Sequence, residues 1–174
     1  RDAKIQAALR KEGIAVLTFN GSLLFEPGDL RTKSGGAFRV FTPFWKACLS
    51  RPEPEPPLAS PSRLTGPRRW PKSCALDDLK LLPPIDWAKG LSQAWTPGSA
   101  GAQVVLARFL EKALVRYDRD RDSPAVLGTS RLSPHLHWGE IGVREVWQAV
   151  QDVAGQGRDE RLRTSAQAYL RELG

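Results

Sequence analysis

The 174-residue chain contains no Met and only two Cys and two His. Cys48 and Cys74 cannot build the dense disulfide framework of a small secreted domain, and neither sits in a paired C-x-x-C spacing. His135 and His137 stand two apart on an expected helix, so their rings diverge by about 200° and share neither a metal nor a Ser/His/Asp arrangement. No apolar run approaches the roughly 18 to 20 residues that a membrane-spanning helix needs. Neither a G-x-x-x-x-G-K-[ST] loop nor a G-x-G-x-x-G turn after a strand is present, which removes the commonest nucleotide motifs. The missing Met, with an Arg1 start that opens no signal-peptide pattern, leads us to expect an internal piece of a longer protein. Scarce Cys fits a reducing, cytoplasmic setting.

Lys and Arg number 26 against 19 Asp and Glu, a formal net charge of +7. The excess suggests a polyanionic partner such as nucleic acid or phosphate groups. Hydrophobic residues make up 41% of the chain, a globular proportion, while 15 Gly and 14 Pro exclude a plain helical bundle.

Ile5, Ala8 and Leu9 repeat at helical spacing up to a stop at Gly13. Ala15 to Phe19, Leu23 to Phe25 and Phe38 to Phe41 read as short strands separated by turns at Asn20-Gly21, Pro27-Gly28 and Gly35-Gly36. Thr42-Pro43 reads as the cap and first residue of a helix carrying Phe44, Trp45, Ala47 and Leu49. Five prolines between Arg51 and Gly66 mark an extended connector. Irregular chain follows to Gly98, with Leu79, Leu81 and Leu82 as packing points and Trp70, Trp87 and Trp95 as anchors. Beyond it, Leu106, Leu110, Ala113 or Leu114, and Tyr117 define one helix face, and Leu162, Ala166, Tyr169 or Leu170, and Leu173 another. The expected fold is therefore mixed α/β: the end of an α/β domain over residues 1–50, a Pro-rich linker over 51–98, and the start of a helical domain over 99–174.

The segment from Gly128 to Leu136 carries the chemistry. Gly128 permits a tight turn, Thr129, Ser130 and Ser133 supply three hydroxyls, and Arg131 adds a guanidinium. Ser133-Pro134 reads as an N-cap and first helical residue. Hydroxyls, an Arg and free N–H groups converging on one spot suit phosphate or pyrophosphate. The plainer alternative is a capping Ser133 with the other hydroxyls facing water.

Tyr117-Asp118-Arg119-Asp120-Arg121-Asp122-Ser123-Pro124, followed by Gly128-Thr129-Ser130-Arg131-Leu132-Ser133-Pro134-His135-Leu136-His137-Trp138-Gly139-Glu140-Ile141, resembles the DNA photolyase/cryptochrome family, and more narrowly its bacterial class I cyclobutane-dimer enzymes. Phe38 to Trp45 resembles the end of that family's Rossmann-like antenna domain. Ala168 to Gly174 resembles a helix of its all-helical FAD-binding domain. One departure is Gly142-Val143, where the family has a Ser-Pro helix start; Gly is a tolerable cap, so a cost of at most about 1 kcal/mol is expected.

The resemblance implies FAD as cofactor, with Tyr117, Thr129, Ser130, Arg131, Leu132, Ser133 and Tyr169 as flavin contacts. It implies a second antenna chromophore of folate or deazaflavin type, bound outside this chain. Arg121 matches a contact to DNA phosphate beside a lesion, and Glu172 matches a hydrogen-bonding partner of a flipped pyrimidine dimer. By geometry alone, Arg121 belongs to a solvated charged run and Glu172 to an exposed helix face. The implied activity is light-driven electron transfer from reduced FAD to a cyclobutane pyrimidine dimer in UV-damaged DNA. The implied enzyme is a monomeric carbon–carbon lyase, with no metal and no membrane partner, and this chain alone is expected to be inactive. Two alternatives are a cryptochrome-type blue-light receptor without repair activity and a non-enzymatic basic nucleic-acid-binding module.

Overall fold

The computed structural model describes residues 1–26, 28–156 and 159–174. The chain falls into two compact units, Arg1–Pro54 with Gly174, and Glu55–Leu173.

In the first unit, α1 (Asp2–Lys11) carries Asp2 in its first turn and Arg10 and Lys11 in its last, opposing the helix dipole as the sequence order favours. It ends at Gly13, whose φ of +73° is the left-handed region open to a residue without Cβ. None of its residues is buried, so Ile5 and Leu9 form an apolar face without cover. The structure then departs from the expected strands: among the described residues no strand forms, and Ala15 to Phe19, Leu23 to Phe25 and Phe38 to Val40 run without ladder bonds. A strand exists only through a paired neighbour, and these short segments find none. The described residues of this part thus lack the strands of the expected α/β reading.

Helix α2 (Phe41–Leu49) starts at Phe41 rather than after a Thr42 cap, with extended Val40 at the cap position and no capping side chain. Pro43 lies inside the first turn, where no backbone hydrogen bond is lost. Its aromatic residues organise one another: Phe41 stacks on Trp45 with centroids 6.2 Å apart, and Phe38 meets Phe44 edge-on at 6.1 Å. Cys48 is buried, and that burial raises its thiol pKa.

The second unit begins irregularly. A single 3-10 turn (Leu76–Leu79) and the short α3 (Lys89–Ala94) interrupt chain that is otherwise open. Leu79, Leu81 and Leu82 are exposed, as are Trp70 and Trp87, so the expected packing points do not form; Trp95 is half-buried.

From Ser99 the chain is helical to Asp120 in four consecutive pieces: α4 (Ser99–Arg108), a π turn (Phe109–Ala113), a 3-10 turn (Leu114–Arg116) and α5 (Tyr117–Asp120). The side chains explain the change of pitch. Leu106, Phe109, Leu114 and Tyr117 are all buried, and the five-residue step from Phe109 to Leu114 is one residue too long for an α turn. An i→i+5 turn returns Leu114 to the same face. Phe109 thus takes the core position expected of Leu110.

Helices α6 (Ser133–Trp138), α7 (Val143–Gln156) and α8 (Glu160–Leu173) complete the unit. Val146, Trp147 and Val150 of α7 and Ala166, Tyr169 and Leu170 of α8 are buried. The Gly142 carbonyl accepts from the N–H groups of Glu145 and Val146, so α7 starts without a capping side chain. Ser165, fully buried on α8, donates to Asp118 Oδ1 at 2.6 Å and ties this helix to α5. No helix among the described residues is long and apolar enough to cross a membrane.

Candidate functional site

The site is built on the connection between α5 and α6. Gly128 opens it, for a reason other than the expected turn: a Cβ there would lie 2.5 Å from the Asp120 carbonyl oxygen, so only Gly lets the two backbone segments touch. Ser130 Oγ accepts the Leu132 N–H at 3.4 Å, folding the chain around Arg131. Arg131 itself has φ of +57°, a left-handed conformation that costs a side-chain-bearing residue roughly 1–2 kcal/mol.

Thr129, Ser130 and Arg131 line a cleft of about 440 Å³, within the range of small-molecule sites. The same cleft is lined by Arg108, Lys112, Arg116 and Arg119, so five cations surround one carboxylate, Asp120. Asp120 accepts from Arg119 Nε at 2.7 Å and lies 3.4 Å from Arg116 Nε. The Arg119 hydrogen bond holds this carboxyl below its ordinary pKa. Arg108, Lys112 and Arg116 come at four-residue spacing, one each from α4, the π turn and the 3-10 turn, and all three line the cleft in a row. That row is absent from the sequence expectations, although its spacing is the signal that would have found it. Trp95 is the other addition: its ring lies 4.4 Å from the Arg131 guanidinium carbon.

Behind the cleft wall stands an aromatic cluster. Phe109, which lines the cleft, meets Tyr169 at 4.6 Å and Tyr117 at 5.9 Å; the two tyrosines lie 5.1 Å apart at 88°. Both are buried, and desolvation raises both phenol pKa values, Tyr169 to about 12 against the opposing pull of a hydrogen bond with Ser130.

The expected contacts therefore separate. Thr129, Ser130 and Arg131 reach the cleft, and Tyr117 and Tyr169 stand behind it. Leu132 is 0% exposed and is a core residue. Ser133 begins α6 instead of capping it; Leu132 takes the cap position and no side chain caps the helix. Arg121 and Glu172 come together, Nη1 to Oε1, at 2.9 Å, with the Arg121 guanidinium 5.6 Å from the Tyr117 ring centroid. His135 and His137 part as expected: His135 is buried and its Nδ1 donates to Glu140 Oε2 at 2.5 Å, whereas His137 is exposed against Trp138.

The chain is similar to known proteins over most of its length. The family pattern described as DNA photolyase matches residues 1–62. A deoxyribodipyrimidine photo-lyase of Agrobacterium fabrum is 47% identical over 154 residues, covering 88% of this chain and 32% of that protein. Cryptochrome-1 of Arabidopsis thaliana is 36% identical over 156 residues, covering 87% of this chain and 22% of the relative. Among solved structures, a bacterial class III photolyase from Agrobacterium tumefaciens superposes with a TM-score of 0.86 at 44% identity, covering 98% of this chain and 36% of the other. That neighbour is of class III, which corrects the narrower class I expectation. The chain spans about a third of the photo-lyase it matches.

Proposed function

From a chain that belongs to the DNA photolyase/cryptochrome family, we propose the function of a deoxyribodipyrimidine photolyase, splitting cyclobutane pyrimidine dimers in DNA with light. In this reading residues 1–50 close the α/β antenna domain, 51–98 connect, and 99–174 begin the helical FAD domain. Any antenna chromophore binds outside this chain.

The observation that carries the reading is the cleft: two hydroxyls and five cations around a single carboxylate suit the doubly charged diphosphate of FAD. Thr129 and Ser130 would donate to phosphate oxygens, and Arg131 would supply charge and a planar fork. When bound, FAD supplies a light-absorbing electron donor. The chain's own share is to hold the phosphates and to set the Phe109, Tyr117 and Tyr169 cluster as a rigid wall. Buried and with raised pKa values, the two tyrosines stay neutral at physiological pH and add no charge beside the cofactor.

Arg121 and Glu172 form the proposed DNA contact. Ion-paired at a partly exposed edge, they offer a guanidinium to a backbone phosphate and a carboxylate to N–H donors of a flipped base. Loss of either partner leaves the other misdirected, so both contribute to lesion recognition.

The test is photorepair by the complete protein on an oligonucleotide carrying one thymine dimer. Dimer loss that requires both bound flavin and blue light supports the proposal. Flavin binding without repair would assign a photoreceptor role instead, and salt-dependent DNA binding without flavin would leave only a basic nucleic-acid-binding module.

A further inference from the structure

We propose that Trp95 is a positioning residue for the phosphate cleft, acting by holding Arg131 in its left-handed conformation. The inference rests on the flavin reading above. Three observations meet at one pair of residues. The Arg131 guanidinium carbon lies 4.4 Å from the Trp95 ring centroid, a cation–π distance. Trp95 Nε1 donates to the Arg131 carbonyl oxygen at 3.5 Å, so the same indole grips both ends of the residue. Arg131 has φ of +57°, a conformation that persists only where its surroundings hold it.

The consequence reaches the cleft. Thr129 and Ser130 precede Arg131 directly, and Ser130 Oγ accepts the Leu132 N–H across it. If Arg131 relaxed to an ordinary conformation, the chain would leave the turn and the two hydroxyls would rotate away from the cleft. Trp95 itself lines the cleft, and it belongs to the otherwise open stretch before α4. That stretch therefore reaches the site through Ala94 and Trp95, residues outside the hydroxyl-rich motif. The indole also fixes where the guanidinium carbon lies, 4.4 Å from its ring centroid, and the N–H groups turned away from the ring remain for an anion.

The experiment is a double-mutant cycle on the complete protein, reading the dissociation constant of FAD by fluorescence and of ADP by calorimetry. ADP carries the same diphosphate without the flavin. W95A is expected to weaken both ligands about tenfold, and W95F, which keeps a ring over the guanidinium, by no more than about threefold. In an R131A background, W95A is expected to cost clearly less than in the wild type, because only the bond to the residue 131 carbonyl remains to be lost. Wild-type affinity in W95A beside a weakened R131A would overturn the positioning role and leave the cleft assignment standing. Full additivity of the two substitutions would overturn it equally. Unchanged affinity in R131A itself would instead overturn the flavin reading on which this inference rests. Should W95A fail to fold, the ratio of W95F to W95L affinities carries the same test, since leucine fills space without a π face.

Discussion

Leu132 lies in the middle of a hydroxyl-rich turn, yet its side chain is 0% exposed while neighbouring Thr129 is exposed. Adjacent residues of one motif thus have different work, and substitution separates them. L132A is expected to lower unfolding free energy by about 2–5 kcal/mol through the cavity it leaves. T129A should stay within about 0.5 kcal/mol of wild type in denaturant unfolding while weakening flavin binding. Equal stability losses in the two variants would contradict this division. Tyr169 offers a second test at this scale. Its pKa is raised to about 12 by burial, whereas an unfolded Tyr titrates near 10. Between those values the unfolded chain has lost the phenolic proton and the folded one has kept it, so stability falls as pH rises from about 10 to 12. Y169F should flatten that decline in urea titrations across this range, and an unchanged slope would count against the burial account.

At the scale of elements, the contiguous motif was legible and the spaced one was not. Gly128 to Arg131 stand side by side, so a turn suited to an anion could be read from order, beside the plainer reading of a capped helix start. Arg108, Lys112 and Arg116 are separated by apolar core residues, and the same run of sequence reads first as a hydrophobic face. The π turn was invisible to a fixed 3.6-residue period; it follows from Phe109 and Leu114 both needing the core. Strands failed for a different reason, since alternation in Phe38 to Phe41 records a tendency that only a neighbouring strand can realise. The Ser133 cap failed because the turn around Arg131 closes on Leu132, one residue early. The Gly128 contact yields a prediction here. G128A would drive a Cβ into the Asp120 carbonyl and part α5 from the turn. It should cost about 1–3 kcal/mol in stability and weaken flavin binding together. Retained affinity in a destabilised G128A would show that the cleft does not depend on this close approach.

For the whole molecule, a net charge of +7 is concentrated usefully: five cations line one cleft whose one carboxylate among the described residues, Asp120, is already paired. Unit by unit, the second carries the proposed cofactor site and the proposed lesion pair Arg121–Glu172, while the family pattern over residues 1–62 covers the first and the opening residues of the second. The central claim is that the cleft lined by Thr129, Ser130 and Arg131 holds the diphosphate of FAD. The FAD dissociation constant of the complete T129A/S130A/R131A protein, measured by flavin fluorescence, tests it most directly. A rise of at least a hundredfold, with the flavin-free protein still unfolding cooperatively, is the predicted result. Wild-type affinity in that triple variant would contradict the account.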